Sequence, residues 1–513
     1  MNLPALTNWR TWEPNPIVVK ELRQAVRSWA VTGMLLMFLA VLFFVTVGFL
    51  LGQSFHISPN QALGREIFQF FLPVLSIVSF VFIPVYIGGR LTAERLEGNV
   101  DMLYITTLSA ARIIRGKLLC GIYLTVLFFS VCAPFMVFTN LLRGIDLPTV
   151  FVLLVIAFLL SMLSLQAAIF LSCLPASKGL KVLVGLPAGG LMMGLVGAMT
   201  GISFDLMREG VGSRLGTWAF WGPALSLLFI GLLLFGFLHL AAIALISAPS
   251  ANRALALRSY VSGAWLLTLV VALLWAARSG YGEPFYIWAG FVTGVLVLAL
   301  LISVAEGDEQ SVRIRRTIPE SSGKRGLAFF FYSGTAGGLA WTIVLSAATI
   351  LVVAWAFEPL MSVFPAAFTG RAPGRVVGSS SVELATYLST IILYVLAYSL
   401  FGLFIHRRFQ PHRPPIFAAM VSIALPVLWA VVPNLVLFFL NKLSWEALQE
   451  RQLGNIFNVF GMKHQAFIHD HLVCALVLAT LGVVMNLKWF LVQRAAFQPL
   501  RREAQPVIPP PTP

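Results

Sequence analysis

The chain has 513 residues, of which 59% are apolar and only 11% charged, where a soluble domain averages about 25% charged. Such a chain cannot cover itself in water, so the composition excludes a soluble globular protein and indicates an all-α polytopic membrane protein. The formal charge of +15 does not make it a nucleic-acid binder, because the cations stand at the ends of apolar runs, where they set orientation in a bilayer.

Arg10, Lys20, Arg23 and Arg27 precede the first apolar run. That run is too long for a signal h-region and no small-residue cleavage pattern follows it, so no cleavable signal is expected. Between Pro16 and Trp29 the pattern predicts an amphipathic helix, with Asn15 as N-cap and Pro16 in the first helical position. Val18, Leu22, Ala25, Val26 and Trp29 share one face, while Lys20, Arg23, Gln24 and Arg27 share another. A helix of that kind lies in the membrane interface.

A membrane span needs about 20 mainly apolar residues. Twelve runs qualify, at 30–52, 67–89, 113–139, 149–174, 180–202, 218–247, 260–277, 283–305, 336–357, 382–405, 415–440 and 471–492. With the N-terminus inside, the inner segments hold 25 of the 35 Lys and Arg and the outer segments 10. Both termini are therefore expected in the cytoplasm, with the chain in the cell (inner) membrane.

The order of segments predicts a cytoplasmic N-terminus with its interfacial helix (1–29) and a six-span domain (30–248). A cytoplasmic linker (249–259), a second six-span domain (260–492) and a proline-rich cytoplasmic tail (493–513) follow. The longest inner loop of each half follows its second span: Arg90–Arg112 in the first, Glu306–Gly326 in the second. In the fifth span Gly190, Gly194, Gly197 and Gly201 form one small-residue face suited to close helix packing, within the chain or in a homodimer. Trp218–Ser247 is longer than a span requires and is expected to tilt or break at Pro223, and Pro426 and Pro433 should kink the eleventh span.

Away from their ends the predicted spans hold no Asp, Glu, Lys or Arg, with Glu383 at an entrance. Ion-coupled carriers usually need such groups. His239 is the one intramembrane imidazole and reads as a packed, hydrogen-bonded residue. No nucleotide site is present: Gly116-Lys117 continues into Leu118 and Gly323-Lys324 into Arg325, without the upstream glycine or the hydroxyl of a P-loop. No cofactor on this chain is expected. His464, His469, Asp470 and His471 offer imidazole and carboxylate for a metal such as zinc or copper, but an interfacial polar loop is the preferred reading and no metal is expected. Cys120, Cys132, Cys173 and Cys474 read as apolar fillers.

The stretch Arg90–Lys117, RLTAERLEGNVDMLYITTLSAARIIRGK, is the one sizeable polar island of the first half. Together with NPIVVKELRQAVRS before the first span, it resembles ABC-2-type transporter permeases over about residues 14–140. The resemblance implies an interfacial helix, matched by Lys20, Glu21, Leu22 and Arg23. It also implies a cytoplasmic segment that couples to an ATPase subunit, matched by Glu94, Glu97, Gly98, Asp101, Leu103, Thr106, Leu108, Ser109, Gly116 and Lys117. Asn99 and Thr107 depart from the family pattern.

The expected function is therefore the membrane-spanning permease subunit of an ABC exporter, with ATP bound by a separate cytoplasmic chain and no covalent chemistry on this one. The competing readings are an ATP-independent twelve-span carrier or flippase, and a membrane scaffold for a secretion or maturation complex.

Overall fold

The computed structural model describes residues 16–53, 63–96, 109–142, 144–174, 178–212, 214–248, 250–279, 282–356, 381–439, 452–461 and 467–500. Among them there is no strand, and twelve helices are long and apolar enough to cross a membrane. The protein is an all-α polytopic membrane protein. It divides into two compact units, Met1–Ala248 and Pro249–Pro513.

The first unit opens with α1 (Pro16–Val26), followed by α2 (Trp29–Gln53). The second span is α3 (Leu63–Ile77), a π-helical turn (Val78–Phe82) and α4 (Ile83–Leu96) in series. Four long helices complete the unit: α5 (Ala110–Leu141), α6 (Leu147–Ser172), α7 (Lys178–Glu209) and α8 (Trp218–Ile246). The α3–α4 span is the core of this unit, with Ile67, Phe68, Phe71, Leu72, Leu75 and Phe80 fully buried. By contrast, α2 shows Phe43 and Phe44 outward, as a helix facing lipid should.

The π-helical turn has a chemical cause. Pro84 has no N–H to donate to the Phe80 carbonyl four residues back. The backbone widens by one residue, so that the Ile83 N–H reaches the Val78 carbonyl. Ser164 from α6 then donates to the stranded Phe80 carbonyl at 2.5 Å. Near this point α4 and α6 approach closely: a Cβ on Gly88 would stand 2.8 Å from Ser172 Oγ.

The second unit runs α9 (Ala254–Ser279), α10 (Glu283–Val304), α11 (Val312–Arg315), α12 (Ser322–Phe331) and α13 (Thr335–Leu351), the last continuing into a π-helical end (Val352–Ala356). After it come α14 (Ser381–Phe409), α15 (Ile416–Phe439), α16 (Ile456–Gly461) and α17 (Ile468–Ala496). Here α14 is the central helix, packed by α10, α15 and α17.

The helices correct the predicted spans at their ends. The second span runs Leu63–Arg95, the third starts at Ala110, the seventh at Ala254, and the tenth continues to Phe409. Arg258 and Arg407 therefore lie inside helices rather than in loops. Hydropathy windows end where charge begins, whereas a helix continues as long as its charges find partners. The helix α8 is not broken at Pro223, and α15 runs on through Pro426 and Pro433. The four cysteines are free, three of them buried.

Candidate functional site

The candidate site is built from α1 upward. Its inward face is Val18, Glu21 and Ala25, at i, i+3 and i+7, all buried. Val26 and Trp29, assigned to the apolar face from sequence, are instead 70% and 84% exposed. The inward face thus includes a carboxylate. A buried charge is costly unless an opposite charge meets it.

The partner is Lys117, two turns into α5. Ser109 caps that helix, its side chain accepting the Arg112 N–H at 3.4 Å. Lys117 Nζ lies 2.7 Å from Glu21 Oε1 and 2.9 Å from Glu94 Oε2 on α4. Both Lys117 and Glu21 have side chains only 2% exposed. Arg90, one turn before Glu94, places Nε 3.9 Å from Glu21 Oε2. It also donates to the Tyr86 hydroxyl at 3.0 Å and to Gln24 of α1. Two acids and two cations thus close a balanced network between α1 and the adjoining ends of α4 and α5. Lys20, 3.9 Å from Glu94 but 61% exposed, is a peripheral member. Arg95 anchors the end of the second span by donating to the Cys173 carbonyl after α6.

Of the coupling-segment candidates, Lys117 is turned inward on Glu21, and Glu94, 26% exposed, is held by Lys117. Glu97, Gly98, Asp101, Leu103, Thr106 and Leu108 lie outside the described residues. Sequence reasoning placed Glu21 in a family pattern without giving it this role. The available signal was an acid three residues after Val18, on the apolar face of an amphipathic helix. Chemically the network holds no nucleophile paired to a base. It ties α1 to the adjoining ends of α4 and α5 through buried and half-buried charge pairs.

The second unit has a joint of its own. Arg258, in α9 and 4% exposed, donates from Nη2 to both oxygens of Glu306 at 2.7 and 2.6 Å. Its Nη1 donates to the carbonyls of Phe330 and Tyr332 at 3.0 and 2.8 Å. The Gly334 N–H reaches Glu306 Oε2 at 2.8 Å. One guanidinium so ties α9, the end of α10 and the entrance of α13. Close by, Trp489 Nε1 donates to Asp308 Oδ2 at 3.0 Å. Arg407 lies over the Trp489 ring, 4.4 Å from its centroid. Burial pushes the Asp308 carboxyl above its ordinary value, against the pull of the Trp489 and Thr335 donors and of Arg407 and His406.

The remaining sequence candidates are dispersed. His239 sets Nδ1 3.3 Å from Gln166 Oε1 and stacks on Phe235, a packed residue in an apolar unit. Gly190, Gly194, Gly197 and Gly201 all lie on an exposed face of α7, and a Cβ on any of them would meet nothing within 4 Å. They do not serve helix packing inside this unit. His469 and Asp470 are exposed, whereas His471 is buried with Nδ1 3.0 Å from the Tyr394 hydroxyl. Residues two apart on a helix point in different directions, so the described members of the histidine cluster do not converge; His464 lies outside the described residues. Among the described residues no group of three or more His, Cys, Asp or Glu could hold a metal ion.

Comparison of the chain with protein-family models, curated proteins and solved structures finds no match.

Proposed function

We propose that the chain is the membrane-spanning permease subunit of an ABC exporter, working with a separate cytoplasmic ATPase. On this reading it lies in the inner membrane with both termini in the cytoplasm. The observation that carries the proposal is the Glu21–Lys117–Glu94 network. It joins the interfacial helix to the two ends of the polar island, the two stretches on which the resemblance to ABC-2-type permeases rests. A partner that presses on the island between α4 and α5 moves those two helices and α1 as one body. Rigid-body transmission of that kind is how a soluble motor can drive a membrane domain.

The test is a pull-down of the tagged full chain in gentle detergent from its own membranes, with mass spectrometry of what accompanies it. The expected result is a P-loop ATPase in the native sample and its loss with Glu97→Arg, while membrane insertion is unchanged. Recovery of no ATPase with the chain still folded would sink the proposal in favour of a carrier or scaffold. Mass photometry of the complex then gives the number of chains per pair of ATPase subunits.

A further inference from the structure

The second unit carries a basic plate two of whose four acids are turned inward. The connection between α10 and α13 spans residues 305–334 and joins two membrane-crossing helices. It therefore leaves and re-enters the bilayer on one side. Of its four acids, Glu306 is held by Arg258 and Asp308 is the acceptor for Trp489. Only Glu309 and Glu320 remain exposed, against Arg313, Arg316 and Lys324 exposed and Arg315 and Arg325 half-buried. None of these five cations pairs with a carboxylate among the described residues, and Arg315 Nε is buried without a hydrogen-bond partner.

The plate is rigid and close to the membrane. Ile314 and Ile318 are buried beneath it, each 4% exposed. Ser311 Oγ donates to the Ser250 carbonyl at 2.9 Å, the Leu500 N–H to the Arg315 carbonyl at 3.3 Å, and the Tyr332 hydroxyl to the Thr317 carbonyl at 2.7 Å. Phe329 of α12 packs edge-on against Phe490 and Phe497, with centroids 6.0 and 5.5 Å apart. Only residues 332–334 separate α12 from α13, so α12 ends at the bilayer edge. Beside the cations, Val312 and Leu327 are 57% and 67% exposed.

We infer that this plate docks on anionic phospholipid headgroups of the surrounding leaflet. Unneutralised Arg and Lys bind the headgroup phosphates, and Val312 and Leu327 enter the acyl boundary next to them. A soluble acidic partner would match the charge. It would not account for exposed apolar side chains among the cations on a segment held at the bilayer by a three-residue connection. The inference is independent of the permease proposal.

The experiment uses the full chain, delipidated in detergent and offered equal amounts of phosphatidylglycerol and phosphatidylcholine, with native mass spectrometry of the lipid retained. The native chain should retain phosphatidylglycerol in excess. Arg313→Gln/Arg316→Gln/Lys324→Gln/Arg325→Gln should lower that excess at least about fivefold, the contribution of a single surface cation. The same positions carrying lysine should keep it. An excess unchanged in the glutamine variant overturns the inference. So does a native chain that retains neither lipid in excess yet binds inorganic phosphate, which would assign the plate to a soluble ligand. Should the variant not fold, the native chain in about 1 M salt, where the screening length is ~3 Å, reads the same interaction. Excess phosphatidylglycerol persisting there overturns it.

Discussion

Lys117 Nζ and Glu21 Oε1 stand 2.7 Å apart, although the two residues are 96 positions apart in the chain. Each is all but fully buried, so each is the reason the other is tolerated.

Removing one partner leaves an uncompensated buried charge, which costs about 3–5 kcal/mol. Lys117→Met is therefore expected to lower the stability of the first unit by that order. Glu21→Leu alone is milder, because Lys117 keeps Glu94 at 2.9 Å. Combining Glu21→Leu with Lys117→Met should recover part of the loss, since an apolar pair replaces the two buried ions and the charges left, Glu94 and Arg90, are partly exposed. Unfolding in detergent followed for all three variants completes the cycle. Additive losses would show that the two residues do not depend on each other.

Two glycines with opposite surroundings make a sharper comparison. A Cβ at Gly338 would lie 2.6 Å from Arg258 Nη2 and 2.7 Å from Ser303 Oγ, so Gly338→Ala should displace the guanidinium from Glu306 and lower the melting temperature. Gly194→Ala meets nothing within 4 Å and replaces the residue with the largest backbone entropy loss in a helix. It should raise stability by roughly 0.5–1 kcal/mol. Thermal melts of the two variants measured side by side give the result.

The Asp308 carboxyl supplies a pH dependence with a definite sign. Its folded value lies above the ordinary one of 3.8, with burial as the largest cause. The folded state therefore binds its proton more tightly than the unfolded state does. Stability is greatest below the unfolded value and declines as pH rises through the folded one. Asp308→Asn keeps an acceptor for Trp489 Nε1 and removes the titration. It should flatten the acid side of the stability–pH curve and leave the variant no less stable at pH 7. A curve identical to that of the native chain would show that Asp308 is not the group responsible.

Class and span order were legible because they depend on local composition. A chain 59% apolar can be stable only in a bilayer, and each of the twelve spans announces itself within about 20 residues. Pro16 and the alternating faces that follow it likewise marked α1 without any knowledge of its neighbours. Pro84, too, was visible, but the π-helical turn it produces also needed Ser164 from another helix to satisfy the Phe80 carbonyl.

The tertiary structure decided where the charges went. Hydropathy places Lys117 near the start of a span and leaves Arg258 and Asp308 outside one, and says nothing of their partners. The fold instead buries or half-buries them, because Glu21, Glu306 and Trp489 arrive from segments far along the chain. A charge's cost depends on what stands within about 4 Å of it, and that distance is set by packing, not by sequence neighbours. The same reason separates His469 from His471 and leaves the glycine face of α7 uncovered within its unit: periodicity assigns residues to a face, and only the fold says what that face meets.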